Sequence, residues 1–425
     1  MDQLINTLEQ IVGTDHVSTN PSLPGRTPVL AISPGSVEET AQAVAACFEA
    51  RVAVVPWGGG TRQTWGSPLA ERPFVVIQTN RLNKVLIYEP DDLTISVEAG
   101  MTLATLDATL AANRQMLPLD APWPERTTIG GILATGVDGP RRLLYGSSRD
   151  LLIGIRVVEA TGRISKAGGM VVKNVSGFDM MKLYLGSLGS LALIVSANFK
   201  LLPRPRASGA LSCGFEQPAA AFALAEAIAE SYLTPAAVEY HEHQYPDDPL
   251  CGLEIRIEGL PAAVERHLRE LEVMAKRAGA SAVCTIADGD PVLKQRWAHL
   301  ADLAHPATEV DDELALRLSC LPGELAAALN NARVLAQRHQ VTLRVVARAL
   351  NGVAYLRASG PPAELAAWHA ALLAVQPYLV LLAAPPALVA ELPAWGVADP
   401  NHDLMLRIKR EFDPEDQLNP GRFVV

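Results

Sequence analysis

Helical and strand patterns alternate along the first half of the chain. Ser36 and Glu39 have the spacing of a capping box, and apolar positions then recur at helical spacing as far as Ala50. A second amphipathic helix is predicted over residues 102–113. Short apolar, largely β-branched runs predict strands at 52–56, 74–77, 85–88, 93–97 and 151–159, around 171–172, and at 191–202. This alternation favours an α/β or α+β domain.

The composition of the predicted helices changes after Pro205. Alanine-rich helical segments at 219–231, 262–278 and 324–339 alternate with strand-like runs at 253–257, 314–318, 342–349 and 352–356. This order predicts a second α+β domain whose helices cover one face of an antiparallel sheet. The expected division is an N-terminal helix and lead-in over 1–25, a first domain over 26–205, a second over 206–400, and a terminal helix and tail over 401–425 that returns to the first domain.

Composition narrows the class of protein. Of the 425 residues, 49% are hydrophobic and 19% charged, which excludes a disordered chain, and a net charge of −10 argues against a nucleic-acid partner. The five cysteines have no CxxC spacing, so we expect neither a disulfide framework nor an iron–sulfur cluster held by cysteines. We expect a cytoplasmic location. We also expect no signal peptide and no transmembrane segment, although membrane association through partners stays open.

One glycine-rich segment suggests an anion site. Pro56 and Trp57 lead into Gly58, Gly59, Gly60 and Thr61. Three glycines without Cβ atoms can turn successive N–H groups toward one point, which suits a diphosphate. A simple tight turn is the alternative interpretation.

A second segment places small residues at a predicted helix start. Thr128 precedes Ile129, Gly130 and Gly131, with Ala134 one turn later. A threonine N-cap followed by glycines lets a ligand approach the helix N-terminus closely. Close packing of the helix through its glycines is the alternative.

The ordered set of motifs resembles a known family. Besides these two segments, it includes residues 114–118 (RQMLP), 139–142 (GPRR), 172–179 (VKNVSGFD) and 418–423 (LNPGRF). Together they resemble the FAD-binding domain of the vanillyl-alcohol oxidase / p-cresol methylhydroxylase (PCMH) superfamily, and within it most resemble the FAD-binding subunit of bacterial glycolate oxidase. The likeness is strong over about residues 26–205 and weak in the middle of the chain.

The resemblance implies a two-subdomain PCMH-type FAD-binding domain followed by an α+β cap domain. Residues 58–61 would take the FAD diphosphate, and Gly189 and Ile194 would border the adenine. Pro122, Thr128, Ile129, Gly130, Gly131 and Ala134 would line the diphosphate and flavin end. Arg149 and Asp150 are cofactor contacts or, as an alternative, an internal ion pair. Thr61 follows the glycines and no histidine lies between His16 and His241, so FAD is expected to bind non-covalently.

The substrate side carries weaker signals. Oxidising a 2-hydroxy acid needs a cation for the carboxylate and a base for the hydroxyl proton. Arg317, on a predicted strand, is the candidate carboxylate anchor, and His241 and His243 are candidate bases. If extended, these two histidines would share one face and could bind a metal, but a surface turn is the alternative and no metal site is predicted. Related catalytic flavin subunits carry a His-Gly-Asp-Gly-Asn-type motif, which is absent here.

Three functions follow from the resemblance. The first is the FAD-binding subunit of a glycolate (2-hydroxy-acid) oxidase or dehydrogenase, with a larger FAD-containing catalytic subunit and an iron–sulfur subunit as partners. The second is a structural flavin-binding subunit without substrate chemistry. The third is a stand-alone FAD-dependent oxidase of an alcohol or sugar acid.

Overall fold

The computed structural model describes residues 1–21, 23, 26–171, 177–242, 250–287, 289–305, 312–397 and 400–423. The helices in chain order are α1 (Asp2–Val12), α2 (Val37–Glu49), α3 (Leu103–Ala111), α4 (Ile129–Thr135), α5 (Arg142–Tyr145), α6 (Ser148–Leu151), α7 (Met181–Tyr184), α8 (Pro218–Ala229), α9 (Pro261–Arg277), α10 (Pro291–Ala304), α11 (Leu325–Arg338), α12 (Pro362–Val375) and α13 (His402–Phe412). None of the helices in this described part is both long enough and apolar enough to cross a membrane.

The strands form four sheets. In chain order they are β1 (Val17–Ser18), β2 (Leu30–Ile32), β3 (Ala53–Trp57), β4 (Phe74–Gln78), β5 (Val85–Glu89), β6 (Thr94–Glu98), β7 (Gln115–Met116), β8 (Leu152–Val158), β9 (Ile164–Gly168), β10 (Leu193–Lys200), β11 (Leu202–Pro203), β12 (Ala207–Phe215), β13 (Ala237–Glu242), β14 (Cys251–Gly259), β15 (Ala282–Ala287), β16 (Glu313–Ser319), β17 (Thr342–Arg348), β18 (Val353–Ser359) and β19 (Leu379–Ala383).

Two compact units divide the chain. The first comprises Met1–Asp138, Ser147–Pro203 and Ala398–Val425, and the second comprises Gly139–Gly146 and Arg204–Val397. The segment Gly139–Gly146, which the sequence analysis placed in the first domain, therefore packs within the second unit. The reason is visible at Tyr145, whose hydroxyl donates to Glu258 Oε2 at 2.7 Å.

The first unit contains two principal sheets, in the strand orders β1-β2-β4-β3 and β5-β6-β10-β8-β9. In the first sheet, β4 runs parallel to both β2 and β3, whereas the five-stranded sheet is antiparallel throughout. Helices α1 and α2 cover β2, β3 and β4, and the fully buried Leu8 and Val44 of the helices share a core with Val54 of β3. The Ser36 hydroxyl caps α2 by accepting from Glu39 N at 3.1 Å, so this predicted helix start is confirmed.

The second unit contains one eight-stranded antiparallel sheet, in the order β15-β12-β14-β13-β17-β18-β16-β19. Helices α8, α9, α11 and α12 pack on one face, around the fully buried Trp368, Leu253 and Leu316. The opposite face, here called the polar face, carries charged side chains such as Glu254 and Arg344, and α10 lies on part of it through Leu300 and Leu303. The predicted α+β class with an antiparallel sheet in the second half is confirmed.

Local predictions differ from the structure at a few elements. No strand is found at Val171, which is 58% exposed, and residue 172 of the predicted strand lies outside the described residues. The preceding strand, β9, ends at Gly168, whose φ is 72°. Helices α10 and α12 were not predicted. The apolar residues of α12 are spread around the whole helix, which removes the periodicity that marks a one-sided helix.

Candidate cofactor site

One cavity in the first unit collects most of the glycine-rich positions singled out in the sequence. It encloses about 790 Å³ of empty space, including its opening to solvent. All the predicted cofactor residues line it except Pro122, Ile129, Arg149 and Asp150. The lining residues that were predicted are Pro56, Trp57, Gly58, Gly59, Gly60, Thr61, Thr128, Gly130, Gly131, Ala134, Gly189 and Ile194.

The segment 58–61 follows β3 and leaves its amides unpaired. Within the described residues, none of the four N–H groups from Gly58 to Thr61 donates a hydrogen bond. Gly60 and Thr61 are buried and have little access to solvent, and Gly58 and Gly59 are half-buried. Buried amide donors are nearly always paired in folded proteins, so an unpaired run inside a cavity indicates a missing acceptor.

The glycines of this segment are required by close packing. A Cβ on Gly59 would lie 1.7 Å from the Arg126 carbonyl oxygen, and one on Gly58 would lie 2.2 Å from Thr128 Oγ1. Gly60 adopts φ 69°, a left-handed conformation that favours glycine. The backbone of residues 58–60 therefore lies in close contact with residues 126–128.

Helix α4 brings its N-terminus to the same cavity. The Thr128 hydroxyl caps it by accepting from Gly131 N at 3.2 Å, as the sequence predicted. Gly130 N donates to Ala99 O at 2.7 Å, and a Cβ on Gly130 would come within 2.9 Å of the Ala99 methyl. The predicted alternative, glycine-mediated packing of this helix, therefore also holds for Gly130.

Two arginines give the cavity a positive charge. Among its described lining residues are Arg62 and Arg422 but no aspartate or glutamate. The Arg422 guanidinium donates to the backbone carbonyls of Gln63 and Trp65, and to Gln63 Oε1 at 3.2 Å. Burial, followed by the charge of nearby Arg26, lowers the pKa of Arg422 to about 10, so it remains a cation at neutral pH. Unpaired N–H groups beside two cations form an arrangement suited to an anion such as a diphosphate.

Ten lining residues were not predicted: seven lie within four residues of predicted positions, and Thr79, Asn419 and Arg422 come from segments distant in the chain. They are Arg62, Gln63, Trp65, Thr79, Thr135, Leu188, Ala192, Leu193, Asn419 and Arg422. Of these, Asn419 and Arg422 belong to the terminal LNPGRF motif, which was noted only as part of the resemblance. Its spacing alone carried no signal for a cavity position.

The four remaining predicted residues occupy other surroundings. Ile129 is fully buried, and Pro122 offers its carbonyl oxygen to Thr127 Oγ1 at 2.6 Å. Asp150 accepts from both N and Oγ of Ser147 at 2.8 Å, and so caps α6, while Arg149 is exposed. These contacts are structural, and none of the four side chains lines the cavity.

The lining offers no attachment point for a covalent flavin within the described residues, because it contains neither histidine nor cysteine. Cys47, the nearest cysteine in sequence, is fully buried on α2 against the core. That burial raises the pKa of its thiol to about 12, which removes its nucleophilic form at neutral pH.

The candidate substrate residues lie on the polar face of the second unit. Arg317 on β16 pairs with Tyr355, which pairs with Val346, which in turn pairs with His241 on β13. Three strand spacings of about 4.8 Å therefore separate the two backbones by about 14 Å. A small 2-hydroxy acid carries its carboxylate and hydroxyl on adjacent carbons, so Arg317 and His241 could both contact it only if their side chains pointed toward each other.

His241 moreover points away from Arg317. Its Nε2 lies 3.7 Å from Glu254 Oε1, and a Cβ on Gly252 would lie 2.6 Å from the same nitrogen. The imidazole thus lies over β14, on the far side of β13 from Arg317. Glu254 also accepts from Arg296 at 2.8 Å and from Ser212 at 2.7 Å, so His241 belongs to a buried polar cluster.

Arg317 is the more available of the two candidates. Its buried Nε has no hydrogen-bond partner among the residues described. His243 lies outside the described residues. No group of three or more His, Cys, Asp or Glu side chains in the described ranges could hold a metal ion.

Comparison with known proteins identifies the domain that holds this cavity. A family model described as an FAD binding domain matches residues 28–177. Glycolate oxidase subunit GlcD of Bacillus subtilis (strain 168) is 29% identical over 270 residues, covering 61% of this chain and 57% of that protein. Glycolate oxidase subunit GlcE of Escherichia coli (strain K12) is 38% identical over 192 residues, covering 44% and 51%. The chain thus spans little more than half the length of these two curated relatives.

A further relative and a solved structure match nearly the whole chain. D-lactate dehydrogenase of Archaeoglobus fulgidus is 27% identical over 429 residues, covering 92% of this chain and 90% of that protein. A crystal structure of p-cresol methylhydroxylase with bound substrate has a TM-score of 0.75 at 16% identity, covering 99% of this chain and 96% of that one. The latter shows the fold.

The matched domain defines an FAD-binding protein, and the solved structure shows its fold. Residues 28–177 therefore form an FAD binding domain, as the sequence motifs predicted, and FAD is the cofactor. The chain is similar in sequence to glycolate oxidase subunits and in fold to p-cresol methylhydroxylase.

Proposed function

We propose that the cavity of the first unit holds FAD non-covalently and that the chain is the FAD-binding subunit of a glycolate (2-hydroxy-acid) oxidase or dehydrogenase. The observation that carries the binding proposal is the run of unpaired amides at residues 58–61 in a cavity with two arginines. When bound, FAD supplies the ring system that accepts a hydride from the substrate.

The chain's own residues have separable roles in this proposal. Amide N–H groups of residues 58–61, with the cations Arg62 and Arg422, bind the diphosphate. Thr128, Gly130, Gly131 and Ala134 shape the wall beside it, and Gly189 and Ile194 border the adenine. Arg317 anchors the substrate carboxylate. No described residue is assigned as base, because His241 is turned toward Glu254.

The proposed substrate and partners rest on the relatives. Those compared are named as glycolate oxidase subunits and a D-lactate dehydrogenase, which supports a 2-hydroxy acid as substrate. The word subunit in two of these names supports an assembly with a larger flavin-containing subunit. An iron–sulfur subunit would receive the electrons, because the cysteines of this chain lack the spacing to hold a cluster. A cytoplasmic location stays a prediction from cysteine usage.

A second candidate is a flavin-binding subunit without substrate chemistry. It is favoured by the polar face, where His241 and Arg317 do not converge on one small substrate. The two candidates differ in whether substrate can reduce the flavin of this chain.

An anaerobic titration tests both. The flavin-loaded chain is mixed with glycolate or D-lactate, alone and with co-purifying subunits, and the flavin absorbance near 450 nm is followed. A flavin label specific to this subunit reports which cofactor bleaches in the complex. Bleaching of this subunit's flavin only in the complex supports the catalytic subunit. Bleaching of the isolated chain, followed by release of hydrogen peroxide once O2 is admitted, would support the stand-alone oxidase.

Arg317 gives the matched variant for that titration. We expect Arg317→Met to slow bleaching by about 100-fold at subsaturating substrate, because a charged anchor for the carboxylate is lost. FAD affinity should stay unchanged, because Arg317 lies in the second unit. Unchanged bleaching would remove Arg317 from the proposal and favour the non-catalytic subunit.

A further inference from the structure

The residues from Asp413 to Phe423, here called the C-terminal loop, are anchored by a buried ion pair. Lys409, 4% exposed, donates from Nζ to Asp413 Oδ2 at 2.5 Å, to Ser190 O at 2.9 Å and to Leu418 O at 3.1 Å. Asp413 Oδ2 also accepts from Leu418 N at 2.7 Å. One ammonium group thus joins α13, the C-terminal loop and the segment before β10.

Asn419 is the residue of this loop that enters the cavity. Its backbone N donates to Val54 O at 2.9 Å, which ties the loop to β3. Asn419 has φ 45°, a left-handed conformation that asparagine tolerates better than most residues. The side chain is 8% exposed and lines the cavity beside Gly189.

The orientation of the Asn419 carboxamide follows from one hydrogen bond. Its Nδ2 donates to Leu188 O at 2.6 Å. Exchanging nitrogen and oxygen would bring two acceptors together, so the amide can be assigned in one way only. Oδ1 is therefore the atom of this carboxamide that takes no part in the hydrogen bond to Leu188.

This oxygen is a buried acceptor without a donor. Oδ1 of Asn419 has no hydrogen-bond partner among the described residues. Its setting is the reverse of that at residues 58–61, where donors lack acceptors. A buried carbonyl oxygen is seldom left unpaired, so a ligand donor is expected there.

We propose that Asn419 is a further cofactor-binding residue, whose Oδ1 accepts a hydrogen bond from an N–H or O–H group of the dinucleotide. Lys409 and Asp413 act as a positioning pair that holds the loop in place. This inference rests on the proposed function that the cavity holds FAD. The donor lies in either the adenosine half or the flavin half of the cofactor, and fragments of the cofactor distinguish the two.

The test compares ligands on flavin-free, refolded full-length protein by calorimetry. Asn419→Gly is the variant of choice, because glycine accepts φ 45° without strain. We expect FAD to bind about 10-fold more weakly, the loss of one good hydrogen bond. The same factor should appear with only one of ADP and FMN, namely the fragment that carries the donor.

Gln417→Ala is the matched control. Gln417 is a buried amide two residues earlier whose side chain does not line the cavity, so all three affinities should stay within about twofold of wild type. If Asn419→Gly does not fold, as judged by circular dichroism, Asn419→Ser is measured with the same ligands and criteria.

Two results would overturn the inference. One is FAD affinity of the Asn419 variant equal to that of wild type. The other is an equal loss with ADP and FMN, which would show that Asn419 only supports the loop. Wild-type protein that binds no FAD would instead contradict the proposed function itself, so the two failures are distinguishable.

Discussion

The cavity of the first unit and the polar face of the second satisfy their polar groups differently. In the cavity, four successive amides and the Asn419 oxygen have no partner among the described residues. On the polar face, Glu254 is bonded by Arg296 and Ser212, and Glu313 by Arg344 and Arg357. Unpaired buried groups indicate where a ligand is needed, whereas paired ones stabilise the fold. The first unit therefore offers a run of backbone donors that a ligand would complete. On the polar face the acids are held by arginines, although single atoms such as Glu254 Oε2, Arg317 Nε and Arg357 Nε also have no hydrogen-bond partner among the described residues.

The largest effect is expected from a methyl group in the glycine loop. Gly59→Ala should weaken FAD binding by at least about 100-fold, because its Cβ would lie 1.7 Å from Arg126 O and the loop must move. Fluorescence titration with FAD measures the loss. Gly323→Ala in the second unit is the control, since nothing lies within 4 Å of that Cβ. Equal affinities of the two variants would contradict the role given to the loop.

Breaking the buried ion pair should have the next largest effect. Lys409→Met leaves Asp413 buried without its cation, and should lower the free energy of unfolding by about 3–5 kcal/mol. It should also weaken FAD binding, because the C-terminal loop is released. Urea denaturation and FAD titration measure the two effects.

Arg296→Met sharpens the comparison between the units. Glu254 would keep Ser212 as a donor, and the Arg296 side chain is 29% exposed, so a smaller loss of stability is expected. FAD affinity should not change. A drop in FAD affinity as large as that of Lys409→Met would contradict the distinction between a unit that binds the cofactor and a polar face whose charged groups pair with one another.

Acid sensitivity should arise in the second unit at His369 on α12. Burial lowers the pKa of His369 to about 4, against about 6.5 in an unfolded chain. The unfolded state therefore takes up the proton first, so stability is complete above pH 6.5 and is lost as pH falls toward 4. The slope is at most about 1.4 kcal/mol per pH unit.

His369→Leu should flatten this pH dependence, which urea unfolding at pH 7, 6 and 5 would show. His402→Gln in the first unit is the control and should keep the wild-type slope. If the slope of the His369 variant matched that of wild type, the acid response would have to be assigned elsewhere.

The smallest effect is expected at the start of α2, in the first unit. Ser36→Ala removes the acceptor for Glu39 N and should cost about 1 kcal/mol. Ser36→Asn, another good cap, should retain most of the stability. FAD affinity should be unaffected in both, because the cap lies outside the lining of the cavity. Thermal unfolding of both variants provides the check.

Consecutive residues predicted a large part of this protein. The cap at Ser36, the strand before the glycines and the threonine cap at Thr128 are formed by neighbours in sequence. Such features depend on local hydrogen bonds and backbone freedom, which a short stretch of sequence specifies. The glycine loop and the start of α4 could therefore be predicted from local sequence, whereas their place in one cofactor site was implied by the family resemblance.

Only the tertiary structure decided which distant side chains complete that site and which candidates fail to meet. Asn419 and Arg422 reach the cavity because the C-terminal loop is tied to Val54 and Lys409, and His241 is turned over Gly252 toward Glu254. These outcomes depend on contacts between residues far apart in the chain, whose geometry no local pattern contains. For that reason the sequence determined the class of the protein and its anion-binding backbone, whereas packing determined the orientation of each functional side chain.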